Sequence, residues 1–252
     1  MVLAALMLLA LPTSASAVTD GQLDGDRHPQ VGLMVAQDKK GNPLWRCSGT
    51  LIAAKVFLTA GHCTEAPAAH VEIWFDADVE SGIPGNGYPF EGDVGGKPHT
   101  HPNYDPNAFF LFDLGVVTLE RGITGVKYGK LPALNALDAL SPSSSTIFTA
   151  VGYGLQNANR NHLEANRVRM FANPHLVQIN TGFVGDFSIM LSNNAHTGGT
   201  CFGDSGGANF IGTSLTLAGV TSYGLNTECA GTGGVYRIDR ADDLNWINTF
   251  LD

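Results

Sequence analysis

The hydrophobic pattern is one of short apolar runs, repeatedly interrupted. Residues 31–36, 56–59, 71–75, 109–119, 146–151 and 217–223 are rich in Val, Ile, Leu, Phe and Thr, the composition expected of strands. Turn signals separate them: Gly41-Asn42-Pro43, Pro84-Gly85-Asn86-Gly87 and Gly95-Gly96. No long amphipathic helix interrupts the series, so a parallel α/β sheet is disfavoured. One helix is expected, at the end. Asp242 or Asp243 caps it, and Leu244, Ile247, Phe250 and Leu251 supply an apolar face. Residues 131–140, followed by Ser141-Pro142-Ser143-Ser144-Ser145, read as a surface connection between two β halves.

Residues 2–11 are different: an unbroken apolar run ending at Pro12. It is about half the roughly 20 residues of a membrane-spanning helix. With Ala15-Ser16-Ala17 behind it, it reads as a secretory signal cut after Ala17. The expected organisation is a signal peptide at 1–17 and one mature domain at 18–252, with no membrane attachment once the signal is removed. Export changes the meaning of Cys47, Cys63, Cys201 and Cys229: an even count in a secreted chain implies two disulfides, in any of three connectivities. The absence of a C-x-x-C pair disfavours zinc.

Composition narrows the classes further. The 252 residues include 31 glycines and only 15% charged residues, with 14 basic against 23 acidic positions for a net charge of −9. Such a chain is neither coiled coil nor disordered. Its acidity, without a Lys/Arg run, argues against nucleic acid and anionic membranes as partners.

Three segments carry chemistry. His62 ends a strand-like run in Leu58-Thr59-Ala60-Gly61-His62-Cys63, beside a disulfide cysteine. Asp113 sits among Phe109, Phe110, Leu111, Phe112, Leu114, Val116 and Val117; a carboxylate there is buried, and burial is costly unless the charge is paired. Gly203-Asp204-Ser205-Gly206-Gly207 lets the backbone turn tightly and aim two N–H groups at one point, as an oxyanion hole requires. A Gly-x-Ser-x-Gly segment also suits an α/β-hydrolase elbow, but that fold needs a later histidine, and His196 is the last one here. The order His, Asp, Ser is that of chymotrypsin.

These motifs resemble those of the trypsin/chymotrypsin family of serine proteases, and the resemblance runs from Val18 to the C-terminus. Supporting matches are Cys47-Ser48-Gly49-Thr50-Leu51-Ile52, Gly152-Tyr153-Gly154, Ser222-Tyr223-Gly224 and Gly234-Val235-Tyr236. The resemblance implies an all-β fold of two six-stranded antiparallel barrels, at about 30–130 and 145–238, with a C-terminal α-helix at about 240–252. It implies Cys47–Cys63 and Cys201–Cys229 bridges. Ser205 is the implied nucleophile, His62 its base and Asp113 the group that orients His62; the N–H groups of Gly203 and Ser205 bind the oxyanion. Ser222, Tyr223 and Gly224 form the strand that pairs with substrate. His101-Pro102-Asn103-Tyr104 resembles a surface loop of the family, so His99 and His101 are not read as metal ligands, and no cofactor is implied.

The substrate pocket departs from trypsin. Gly199, beside Thr200, stands where trypsins carry Asp, and Gly224 and Gly234 leave the walls open, so an apolar or aromatic side chain is expected before the scissile bond. Glu228 is nearby, which leaves attraction of a basic residue from the rim as the alternative. Ala208 replaces a family proline, and Tyr153 and Tyr223 stand where Trp is common. Val18-Thr19-Asp20-Gly21 resembles the family's activated N-terminus, whose ammonium pairs with the acid before the nucleophile, here Asp204. The expected product is a secreted monomeric endopeptidase with protein substrates and proteinaceous inhibitors as partners. The competing classes are a protease-like binding protein and an esterase.

Overall fold

The computed structural model describes residues 18–159 and 162–251; the expected signal peptide lies outside them. Strand β1 (Gln22–Leu23) is followed by β2 (Val31–Gln37), β3 (Pro43–Ala53), β4 (Val56–Thr59), β5 (His70–Trp74), β6 (Val94–Thr100) and β7 (Gly115–Leu119). The last six close into an antiparallel barrel in the order β2-β3-β4-β7-β6-β5. Next come β8 (Ser143–Gly152), a β9–β10 hairpin (Asn157–Asn159 and His162–Glu164), β11 (Met170–Ala172), β12 (His175–Ile179), β13 (Ser188–Asn193), β14 (Ala208–Ile211), β15 (Leu217–Gly224) and β16 (Gly231–Arg237). Here β11 pairs with residues 150–152 of β8 and β12 with its earlier part, so the two act as one bent strand. Pairing of β8 with β14 then closes a second six-stranded barrel. Helix α1 (Ala241–Asn248) ends the chain. Among the described residues no helix is long and apolar enough to cross a membrane.

Leu51, Phe57, Ile73 and Val117 fill the first barrel; Phe148, Leu176, Ile189 and Val235 fill the second. Each such side chain contributes about 1.5–3 kcal/mol by leaving water. The first cluster continues between the barrels through Tyr153, Ala208 and Phe210. Helix α1 and the residues just after it reach back to the first barrel, with Trp246 of the helix against His101 and Phe250 beyond it against His99, ring centroids 4.9 and 5.0 Å apart.

Three local expectations change. Gly95 and Gly96 lie within β6 rather than at a turn, because the neighbouring strand comes so close that a Cβ on Gly96 would sit 2.5 Å from Val117. The 109–119 run is strand only from Gly115; its phenylalanines spread over the surface between the barrels instead. Helix α1 starts after Arg240 with no side-chain cap. Asp243 instead accepts a hydrogen bond of 3.0 Å from the Tyr236 hydroxyl.

Candidate active site

His62 and Asp113 meet because their strands pair. Thr59 of β4 faces Gly115 of β7, which brings the end of one strand to the start of the other. His62 occupies a single 3-10 turn, Gly61–Cys63, tied down by the Cys47–Cys63 disulfide. Asp113 is fully buried and collects three donors: the His62 backbone N–H at 2.9 Å, His62 Nδ1 at 2.9 Å and the Ser222 hydroxyl at 2.5 Å. Burial alone disfavours a charged imidazole, but the Asp113 carboxylate and its hydrogen bond outweigh it, so the His62 pKa is raised.

Ser205 arrives from the second barrel on the loop between β13 and β14. The loop is anchored to both barrels. Ser48 N–H donates to the Ser205 carbonyl at 2.8 Å, the Ser48 hydroxyl to the Gly203 carbonyl at 2.9 Å, and Gly206 N–H to the Thr221 carbonyl at 2.7 Å. Gly206 has φ +77°, and a Cβ there would stand 2.0 Å from Thr59 Oγ1, so no other residue fits. Asp204, Gly206 and Gly207 all use their N–H groups internally. Those of Gly203 and Ser205 have no acceptor among the described residues. These are the two donors that an oxyanion would need.

His62 and Ser205 face one cavity of about 400 Å³, with Phe109, Thr200, Phe202, Thr221 and Tyr223 among its walls. No hydrogen bond joins the two side chains among the described residues; such contacts commonly tighten when substrate binds. Gly224 and the Cys201–Cys229 bridge also line this cavity, whereas Gly199 and Gly234 do not. A Cβ on Gly234 would lie 2.2 Å from the Tyr223 ring, so Gly234 supports that ring from beneath. Gly233 does not line it either, but a Cβ there would stand 2.9 Å from Oγ1 of Thr200, which does. Phe109, Phe110 and Phe183 extend the cleft wall beside Tyr223.

Val18 is buried against Met170 and Ala172, and Thr19 pairs antiparallel with Gly199. Asp204 is fully buried and accepts from Gly154 N–H and Cys201 N–H, both at 2.8 Å. No ion pair joins Asp204 to Val18 among the described residues; in the uncut chain the Val18 nitrogen is a peptide nitrogen. Desolvation outweighs the two N–H donors and the charge of Arg46, and pushes the Asp204 pKa up to about 7. The one cluster of metal-ligand types among the described residues is Cys47, His62 and Cys63, and its two sulfurs are bonded to each other. His101 is buried and stacks on Phe112.

The chain is similar to several known proteins. CLIP domain-containing serine protease B10 of Anopheles gambiae is 26% identical over 94% of this chain and 70% of its own length. A chymotrypsin of Phaedon cochleariae is 28% identical over 83% of this chain and 73% of its length. Among solved structures, HL collagenase superposes with a TM-score of 0.67 at 19% identity, covering 95% of this chain and 97% of that one. Human heparin binding protein gives 0.69 at 22%, covering 92% and 96%; both likenesses speak to the fold. The Trypsin family model matches residues 23–247, a span that takes in both barrels and the cleft between them, and the chain therefore belongs to the trypsin family.

Proposed function

We propose that the protein is a secreted serine endopeptidase that cuts after uncharged side chains through an acyl-enzyme. The observation that carries this reading is the buried Asp113–His62 pair opening onto the same cavity as Ser205, beside two N–H groups with no internal acceptor. Ser205 Oγ attacks the scissile carbonyl while His62 takes its proton. Asp113 holds His62 in the tautomer that leaves Nε2 free and stabilises the imidazolium. The Gly203 and Ser205 N–H groups receive the oxyanion. His62 then returns its proton to the leaving amine, and water repeats the sequence on the ester.

Residues 15–17 direct signal cleavage that frees the Val18 amine, whose ammonium neutralises Asp204 and fixes the oxyanion loop. The enzyme is then active on secretion, without a further propeptide cut. Purified protein beginning at Val18 should be labelled at Ser205 by an active-site phosphonate and should hydrolyse peptide amides. A folded protein that does neither is a binding homologue. One that turns over simple esters but no peptide is an esterase, and both outcomes refute the reading.

A further inference from the structure

The space at Gly199, the position that the family resemblance places at the base of the substrate pocket, is occupied by a side chain from outside the three motifs. Asn193, at the end of β13, is buried. A Cβ built on Gly199 would lie 2.2 Å from Asn193 Cγ, so Asn193 fills the space that a side chain at 199 would take. Its amide is held at both ends: the Thr19 hydroxyl donates to Oδ1 at 2.9 Å, and Nδ2 donates to the Thr200 carbonyl at 2.7 Å. Two bonds to backbone and buried hydroxyl leave it no alternative rotamer without losing a buried partner. On its far side lies a separate cavity of about 450 Å³, lined by Thr19, Gln156, Asn193, Glu228 and Cys229. Cys229, which lines both cavities, and Asn193, which lines only this one and bonds the carbonyl of Thr200 in the wall of the other, form the partition between this space and the cavity at Ser205.

We infer that Asn193 sets the depth of the pocket and restricts cleavage to bonds after short, uncharged side chains such as Ala, Val and Thr. The inference rests on Ser205 being the nucleophile. Phe or Tyr, which the open glycines suggest from sequence, would have to displace a side chain fixed by two hydrogen bonds. Arg or Lys finds no carboxylate there, because Glu228 lines the cavity beyond the partition. The pocket offers instead the Thr200 hydroxyl, which has no hydrogen-bond partner among the described residues, and the Thr221 hydroxyl, which already accepts from Asn209 Nδ2 at 3.0 Å.

The test is a series of peptide substrates differing only in the residue before the scissile bond: Ala, Val, Thr, Phe and Arg. They are run on the mature protein and on Asn193→Gly, Gly199→Asp and the double variant, each normalised to the fraction labelled by a small phosphonate. Wild type should favour the short residues over Phe by at least about tenfold in kcat/KM, the scale on which pockets discriminate single methylenes. Asn193→Gly should raise the Phe to Ala ratio at least about tenfold by the same reasoning. Gly199→Asp alone should gain no Arg cleavage, whereas the double variant should. A wild-type preference for Phe, which needs no variant to fold, overturns the inference while leaving the protease reading intact. So does an unchanged Phe to Ala ratio in labelled Asn193→Gly. Wild type that neither labels nor cleaves any peptide refutes the protease reading itself.

Discussion

Asp204 gives the sharpest test of how the cleft is held together. Its carboxylate is fully buried with two backbone donors and a pKa raised from 3.8 to about 7. A carboxyl whose folded-state pKa exceeds its unfolded value favours the fold only while protonated. Its contribution is complete below about pH 4 and is lost as pH rises to about 7. Roughly three pKa units at about 1.36 kcal/mol each make this loss about 4 kcal/mol. The penalty belongs to a chain whose Val18 nitrogen is acylated. In the proposed activation a free Val18 ammonium pairs with Asp204 and removes it, and the Asp204 pKa should then fall below the neutral range. The assay is urea unfolding across about pH 4 to 8 in a Ser205→Ala background, which prevents self-digestion. Proteins beginning at Val18 are compared with proteins carrying one extra glycine before it, each with and without Asp204→Asn. The extended protein should lose about 4 kcal/mol relative to its Asp204→Asn counterpart as pH rises through this window. The protein beginning at Val18 should show no such loss, and there Asp204→Asn should be destabilising at neutral pH. Parallel pH slopes for the extended protein and its Asp204→Asn variant would refute the reasoning.

The other predictions follow from the same cleft. Ser205→Ala, His62→Ala and Asp113→Asn should each lower kcat by about 10⁴ or more, with little further loss when combined, as the proposed triad acting as a unit requires; steady-state peptide hydrolysis checks this. In the proposed mechanism only neutral His62 accepts the serine proton; with its pKa raised by Asp113, the acid limb of kcat/KM should titrate above the usual histidine value, and Asp113→Asn should move it down. Ser222→Ala removes a donor to the buried Asp113 carboxylate. It should cost about 1.5–3 kcal/mol of stabilisation, read as slower turnover with KM little changed. Replacing Cys201 and Cys229 by Ser opens a loop of sequence separation 28. This should cost about 3–4 kcal/mol in the chain-entropy model, seen as a lower melting temperature.

Residues 31–36 and 56–59 announced their strands because each is nearly continuous β-branched or aliphatic sequence, and both are buried throughout. Strand β16 gave no such signal. Gly231-Thr232-Gly233-Gly234 lacks side chains to alternate, and the segment is extended only because β13 and β15 hold it on either side. The 109–119 run misled in the opposite sense. Phe109, Phe110 and Phe112 supply apolarity without a strand, since Phe109 and Phe110 meet Tyr223 and Phe187 across the cleft and Phe112 stacks on His101 beside the first barrel, none of them filling a barrel interior. An apolar run records that burial is available but not which surface provides it.

The same distinction separates what could be read of the site from what could not. His62, Asp113 and Ser205 were legible because each needs an unusual local backbone: a turn beside a disulfide, a carboxylate among phenylalanines, a positive-φ glycine on each side of a serine. Gly203 at φ +96° and Gly206 at φ +77° carry that requirement in the residue type itself. Asn193 has no such mark. It is one asparagine in a run of polar residues, and its importance comes from its volume meeting Gly199 six positions later and Thr19 at the other end of the chain. Arg46 likewise matters only because the fold brings its charge near Asp204. Glycine at 199 is therefore ambiguous in the sequence: it allows an open pocket, and it equally allows a neighbour to fill one. Only the position of Asn193 bears on the choice, and its side chain stands where one at 199 would; that overlap is the ground for the proposed filled pocket.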